Sequence, residues 1–260
     1  MIFAIKKMLF RLLSQKTYLK TLHRSFYALY TLGLLKNDKR FKYHYMVREL
    51  IAKDDTIVDI GANLGYFSKT FARLAPQGKL ISIEPVKPFF DVLVWGLRKY
   101  PNATQLNYAL GTENGMVTMV LPESGGMIRT GLPHIASSEE EKQAHKTTEV
   151  PIAKGSELLA GLEKLNYVKC DIEGFENIVF PEIREVLVKH KPIIQIEIGE
   201  ENAAEMLAFF SEAGFEQFGI SNFKIVRDHG SQQEHGDFLF VHREQVPAFI
   251  ARMQEKQLFA

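Results

Sequence analysis

Residues 56–66, Thr-Ile-Val-Asp-Ile-Gly-Ala-Asn-Leu-Gly-Tyr, restrict what this chain can fold into more than any other stretch. The apolar run Thr56–Ile60 reads as a buried strand of a parallel sheet. Gly61 and Gly65 let the chain turn without a Cβ in the way and approach a ligand closely. Helical spacing then resumes from Ser68 to Ala75, with Phe67, Phe71, Leu74 and Ala75 on one face. Strand, glycine turn and helix together open a nucleotide-binding α/β unit, in which free backbone N–H groups and a helix N-terminus meet the ligand.

From Asp54 onward strands and helices alternate. Strands are expected at Leu80–Glu84, Thr104–Leu110, Thr147–Ala153, Tyr167–Asp171, Ile193–Ile198, Phe215–Ile220 and Phe238–His242, with a short connector strand at Lys224–Val226. Val117–Leu121 reads as an added strand pairing at an edge. Helices are expected at Pro88–Lys99, Ser156–Leu162 and Ala203–Glu212, with Pro181 ending one helical piece and opening the next. Such alternation predicts a mostly parallel sheet of seven strands covered by helices on both faces. The closely spaced last strands predict an antiparallel hairpin at one edge. Residues 122–148 carry little periodicity, so they read either as a substrate lid or as a mobile bystander. The division is thus a basic helical extension at 1–53, the α/β domain at 54–245 and a C-terminal helix at 246–260.

Charge is uneven. Residues 1–53 hold twelve Lys or Arg against Asp38 and Glu49, a net +10, which leaves −9 for the rest of a chain whose total is +1. Ile5, Leu9, Leu12 and Leu13 share a helical face opposite basic residues, and Leu19, Leu22, Phe26 and Leu29 do so one helix later. Two readings follow: helices packed on the domain or on a second copy, or a peripheral contact of residues 1–35 with the inner membrane surface. No apolar run approaches the roughly 20 residues that cross a bilayer, and a cleavable secretory signal fits poorly. The single Cys170 fits a reducing, cytoplasmic setting and reads as packing. With positive charge confined to one end and no stacking-aromatic motif, a nucleic-acid partner is not expected.

The glycine turn discriminates between ligands. A dinucleotide fingerprint begun at Gly61 needs glycine at positions 63 and 66, where this chain has Asn63 and Tyr66. Asn63 is the kind of non-glycine residue that enters the left-handed region. Asp59 lies beside the turn, able to order its amides or to attract a cationic group. Glu84 ends the second strand, where an acidic residue accepts hydrogen bonds from both hydroxyls of a ribose.

Asp59–Ser68, Glu84-Pro85, Asn107–Gly111 with Gly115, and above all Lys169-Cys170-Asp171-Ile172-Glu173-Gly174-Phe175-Glu176 resemble the FkbM-type S-adenosylmethionine-dependent methyltransferases. The likeness spans roughly Asp54 to Val241, and the Asp-Ile-Glu-Gly-Phe-Glu block is its specific part. It implies a class-I, Rossmann-like methyltransferase fold with S-adenosylmethionine as cofactor. By that resemblance Gly61, Ala62, Asn63 and Gly65 hold the methionine portion, flanked by Asp59, Tyr66 and Phe67. Glu84 with Pro85 holds the ribose, the Tyr108-Ala109 backbone the adenine, and Asp171 borders the same pocket. Nothing aligns at the N-terminus or in residues 122–148, the parts that would define an acceptor.

Methyl transfer from a sulfonium is an in-line displacement that depends mostly on positioning the acceptor, whose proton must also be taken up. Asp171 and Glu197 fall at the carboxyl ends of expected parallel strands, where ligands bind in open α/β sheets. Asp171 is the first candidate for base or orienting group. Alternatively the two carboxylates hold a divalent cation that acidifies the hydroxyl. His235 is a second base candidate; Glu173 and Glu176 read as favourable charge at a helix N-terminus. His134 and His145 read as loop histidines, and Trp95 as core. The expected activity is O-methylation of a sugar, glycan or small hydroxylated metabolite, in a monomer or a homo-oligomer. An NAD-linked oxidoreductase and a non-catalytic cofactor-binding scaffold are the rival readings.

Overall fold

A computed structural model of the chain describes residues 10, 12–124, 126–227 and 237–260. Ser14 Oγ accepts a hydrogen bond from the Thr17 amide and starts helix α1 (Gln15–Thr31). The helix buries Tyr18, Leu19, His23, Phe26, Tyr27 and Tyr30. Leu29, expected on that buried face, lies off it and is 40% exposed. Helix α2 (Lys42–Leu50) follows, burying Tyr43, His44, Met46, Val47 and Leu50. The expectation for Ile5 and Leu9 falls outside the described residues.

Strand β1 (Thr56–Ile60) is buried along its whole length. Helix α3 (Ser68–Leu74), strand β2 (Lys79–Ile83), helix α4 (Lys87–Leu97) and strand β3 (Ala103–Leu106) complete the first parallel half. The chain then bends. Asn107 Nδ2 donates to the carbonyls of Glu84 and Pro85, both at 2.8 Å, so β3 stops and β4 (Ala109–Gly111) leaves the sheet. That bend explains why β5 (Gly115–Leu121) is not an edge strand of the main sheet. It pairs antiparallel with β9 (Lys146–Lys154) in a second, four-stranded sheet of order β4-β9-β5-β8, whose last strand is His134–Ile135.

The segment expected as an irregular loop carries short elements of its own: β6 (Glu123–Ser124), β7 (Met127–Ile128), β8 (His134–Ile135) and helix α5 (Glu139–Ala144). Ser138 caps α5 and three glutamates fill its first turn, an arrangement the helix dipole favours.

After α6 (Gly155–Leu159) come β10 (Tyr167–Cys170), α7 (Glu176–Glu182), α8 (Arg184–His190), β11 (Ile193–Glu197) and α9 (Glu200–Glu212). Pro181 lies in the last turn of α7, and Ile183 separates the two short helices. The last elements are β12 (Phe215–Ser221), β13 (Lys224–Arg227), β14 (Asp237–His242) and α10 (Val246–Glu255).

The main sheet runs β13-β12-β14-β11-β10-β1-β2-β3. It holds eight strands where seven were expected; the Lys224–Val226 connector is β13 and pairs with β12 as the antiparallel edge hairpin, while Thr147–Ala153 lies in the second sheet as part of β9. From β11 to β3 neighbouring strands are parallel, while β14 is antiparallel to both β11 and β12. One apolar layer, including Leu50, Phe71, Leu93, Phe218 and Phe249, covers one face. Another, including Val168, Phe180, Phe210 and Phe240, covers the other. The carboxyl ends of β1, β2, β10 and β11 therefore share one edge.

Candidate active site

The turn after β1 takes the backbone shape its residues permit. Gly61 and Gly65 have φ of 73° and 83°, and Asn63 enters the left-handed region at 52°. A Cβ on Gly61 would lie 1.8 Å from the Asp171 carbonyl oxygen, so the glycine serves close packing of β1 against β10. The turn's amides differ from the expectation of free donors. Gly61 N and Ala62 N both donate to Ile83 O, Asn63 N to Glu84 Oε2, Leu64 N to Asn63 Oδ1 and Gly65 N to Ala62 O. A turn whose five amides are all committed has no cradle for a pyrophosphate.

Glu84 is buried at the end of β2, and each carboxylate oxygen accepts one backbone N–H: Asn63 at 2.7 Å and Val86 at 2.8 Å. Burial pushes its pKa up to about 7 despite those two bonds. Each oxygen keeps lone-pair capacity for a further donor. Beside it opens a pocket at the carboxyl edge of the sheet. Gly61, Asn63, Glu84, Pro85, Tyr108 and Ala109 line one part of it; Val86, Phe89, Leu110 and Met119 make an apolar wall. Asp171, Ile172, Glu173 and Phe175 border it from β10, and Gly131, Pro133 and Ile135 from the 122–148 segment. Among the described residues that line it there are three carboxylates and no Lys, Arg or His.

The other expected cofactor contacts lie elsewhere. Asp59 is fully buried and accepts from Ser68 Oγ at 2.5 Å, which ties β1 to the first residue of α3. Ala62 and Gly65 are buried within the turn. Tyr66 packs on Phe26 with ring centroids 4.6 Å apart, and Phe67 stacks on His44 at 3.7 Å. Both rings belong to the contact with the N-terminal helices. Those helices also hold the turn from behind: His23 Nδ1 lies 2.8 Å from Leu64 O, and Tyr27 Oη donates to Gly65 O and Tyr66 O.

On the acceptor side, strand register arranges the carboxylates. Cys170 is the β-partner of Ile196, so Asp171 and Glu197 follow side by side, and Glu197 is the partner of Asp237. The three form a row across β10, β11 and β14. Lys169 lies two residues below Asp171 on the same side, opposite Asp59, with its Nζ 3.1 Å from Asp171 Oδ2. Burial alone would lower the Lys169 pKa, but the Asp171 and Asp59 charges and the Asp171 hydrogen bond raise it. Asp237 is pushed up to about 7, first by burial, then by Glu197 and Asp171. Glu173 also reaches about 7, from burial and then the Asp171, Glu197 and Glu176 charges. Glu197 is raised by desolvation and by Asp171. Glu197 does not line the cavity. Among the described residues no three His, Cys, Asp or Glu are grouped to hold a metal ion. His235 lies outside the described residues.

Glu173, expected to be helix-terminal charge, lies before the helix with φ of 55° and lines the cavity. A non-glycine residue held left-handed next to Gly174, itself at 92°, is the kind of backbone strain that gathers at functional sites. His134 also departs from a plain loop residue, since its ring contacts Glu141 Oε1 at 2.6 Å and Leu132 O at 2.9 Å.

Residues 59–216 match the model of the methyltransferase FkbM domain, a span that runs from the turn's Asp59 through Asp171 and Glu197 into β12. The chain belongs to the FkbM methyltransferase family. A solved FkbM methyltransferase from Methylobacillus flagellatus KT resembles it with a TM-score of 0.51 at 13% identity. That match covers 74% of this chain and 44% of the other, so the FkbM-type chain spans less than half of that relative. Precorrin-6y C5,15-methyltransferase from Geobacter metallireducens GS-15 has a TM-score of 0.44 at 12% identity, over 79% of this chain and 88% of its own. An O-methyltransferase from Thermotoga maritima has a TM-score of 0.43 at 11% identity, over 78% and 63%. No curated protein sequence matches the chain. The FkbM-type fold is thus a class-I methyltransferase α/β sheet, with one strand beyond the seven expected.

Proposed function

We propose that this FkbM-family methyltransferase takes its methyl group from S-adenosylmethionine and delivers it to a hydroxyl of a sugar-like or other small hydroxylated acceptor. One observation carries the cofactor assignment. The cavity beside the glycine turn is lined by Glu84, Asp171 and Glu173 with no basic side chain, and every turn amide from Gly61 to Gly65 is already bonded. Such a lining suits a ligand that carries positive charge and no phosphate, and it disfavours a dinucleotide.

The residues present fit that cofactor. Glu84 has room on each oxygen for a ribose hydroxyl, the apolar wall of Val86, Phe89, Leu110 and Met119 suits an adenine ring, and the carboxylates suit the ammonium and sulfonium. When bound, S-adenosylmethionine supplies an electrophilic methyl group on sulfur, and transfer to a hydroxyl releases S-adenosylhomocysteine and one proton. Asp171, partly exposed at the cavity border, accepts that proton or orients the hydroxyl. Lys169 holds the Asp171 carboxylate in place from below. Gly131, Pro133 and Ile135 bring the 122–148 segment to the mouth, where it limits the acceptor's size.

Calorimetry with S-adenosylmethionine, S-adenosylhomocysteine and NAD tests the cofactor; NAD-only binding overturns the reading. Labelled methyl transfer into extract fractions, followed by mass spectrometry, tests the acceptor. Asp171→Asn should keep cofactor binding within about threefold and lower turnover by about 100-fold or more. A variant that retains turnover removes Asp171 from the reaction.

A further inference from the structure

A cluster of cations that does not line the cavity gathers around Trp95 and Tyr27, on α1, α3 and α4. Lys20 Nζ and the guanidinium carbons of Arg24 and Arg98 stand 4.9, 5.0 and 4.7 Å from the centre of the Trp95 ring. Next to them Lys69 Nζ sits 4.3 Å over Tyr27. Arg73 follows one turn further along α3, on the same face as Lys69, whose pKa is lowered by burial and by the Arg73 and Arg98 charges. Among the described residues none of these five cations has a carboxylate partner. Trp95, expected in the core, is only partly buried and is ringed by cations instead.

The same helix ends in apolar surface. Leu34 N bonds to Leu29 O and Gly33 turns left-handed at φ 74°, a closing turn that leaves Leu32 72% and Leu34 66% exposed. Leu32 is eight residues beyond Arg24, or about 12 Å along a helix axis. Lys36 follows, and from residue 10 to 48 the one carboxylate is Asp38, which is bonded to Arg40.

We propose that the cations around Trp95, together with the exposed Leu32 and Leu34 at the end of α1, dock the enzyme on an anionic lipid bilayer. Anionic headgroups neutralise the five cations, the leucines enter the acyl boundary, and Trp95 sits at the interface between them. A nucleic acid would satisfy the cations but leave the leucines in water. A second copy meeting the same patch would bring five like charges against five. The docking helix is also the one whose His23 and Tyr27 hold the glycine turn, so the cavity is carried at a fixed height above the surface.

The test is co-sedimentation of the full chain with vesicles of phosphatidylcholine, with and without phosphatidylglycerol. Binding is expected only to the anionic vesicles, with release at high salt. Lys20→Glu/Arg24→Glu/Arg98→Glu should weaken it by at least 100-fold, at about fivefold for each cation. Leu32→Ser/Leu34→Ser, which touches only exposed side chains, should weaken it about tenfold without moving the melting temperature. No sedimentation, or sedimentation unchanged by both variants, overturns the proposal. Tight, salt-sensitive binding to an RNA duplex without vesicle binding reassigns the patch to nucleic acid. A dimer lost in Leu32→Ser/Leu34→Ser reassigns the tip to self-association.

Discussion

The two halves of the active edge are built differently. Beside β1 and β2, backbone and side-chain oxygens take every amide of the glycine turn, and Glu84 is fixed by the Asn63 and Val86 amides. Beside β10, β11 and β14, carboxylates stand in a row, and the hydrogen bond that holds Asp171 is the one from Lys169. The first half is held by short-range geometry and resists change. The second is held by opposing charges, so its shape and ionisation respond to each other. A cofactor common to a family suits a rigid seat, whereas acceptor chemistry is altered by moving a few charges.

Removing Lys169 should break that contrast most severely. It is 5% exposed, pairs with Asp171 and lies opposite Asp59, so Lys169→Met leaves carboxylates facing each other without a counter-ion. A loss of about 3 kcal/mol is expected in urea unfolding. Lys169→Met/Asp171→Asn should recover part of it, and strict additivity would show that the two do not act as a pair. Gly61→Ala attacks the rigid half. Its Cβ would strike the Asp171 carbonyl, and φ is 73°, so about 2–4 kcal/mol is expected in the same measurement. A fully stable variant would mean that β1 and β10 separate freely there.

The rigid half was largely legible because it is local. Asn63 takes the left-handed conformation its side chain suits, and Glu84 follows directly on the end of β2 at the edge where it was expected. What failed was the direction of neighbouring side chains: Tyr66 and Phe67 follow the glycine turn in sequence but face Phe26 and His44. Their partners recur at helical spacing (His23, Phe26, Tyr27, Tyr30), an aromatic stripe that signals a packed helix face. The acidic row depends on register between strands that are far apart in sequence, so Asp237 joins Glu197 only once β14 inserts between β11 and β12. The second sheet was hidden for a similar reason. Val117–Leu121 reads correctly as a strand, but its partner is fixed by the bend that Asn107 makes after β3.

Glu84→Gln should lower S-adenosylmethionine affinity by about 10–100-fold, because an amide nitrogen replaces one of two acceptors that face backbone N–H groups. The wild-type affinity should also depend on pH. With a pKa of about 7, Glu84 accepts hydroxyl donors better once ionised, so affinity should rise about tenfold from pH 6 to pH 8 and then level. For folding the sign is opposite. The folded pKa lies above the ordinary 4.5, so this carboxyl's contribution is complete below 4.5 and is lost as pH rises through 7. Calorimetry and urea midpoints across that range check both slopes, and Glu84→Gln should flatten each. A flat wild-type binding profile would mean the ribose is held elsewhere.

The smallest effect isolates the acidic row itself. Glu197→Gln removes one charge at the strand end, outside the cavity, and leaves the backbone pairing with Asp237 intact. Asp237 and Glu173 owe part of their elevation to Glu197, so both should titrate about half a unit lower in the variant, by carboxyl-carbon NMR. Stability at neutral pH should rise by a few tenths of a kcal/mol as repulsion is relieved. Glu84, whose pKa is set by burial, by its two backbone N–H bonds and by the Lys169 and Asp171 charges, should not move. That selectivity is the informative part. Coupled shifts at Asp237 and Glu173 with Glu84 still would show that the Glu197 charge acts within the acidic row, and that the row reaches Glu84 only through Lys169 and Asp171. A shift at Glu84 of equal size would instead make the edge a single field, in which the acceptor's charge tunes the cofactor's grip.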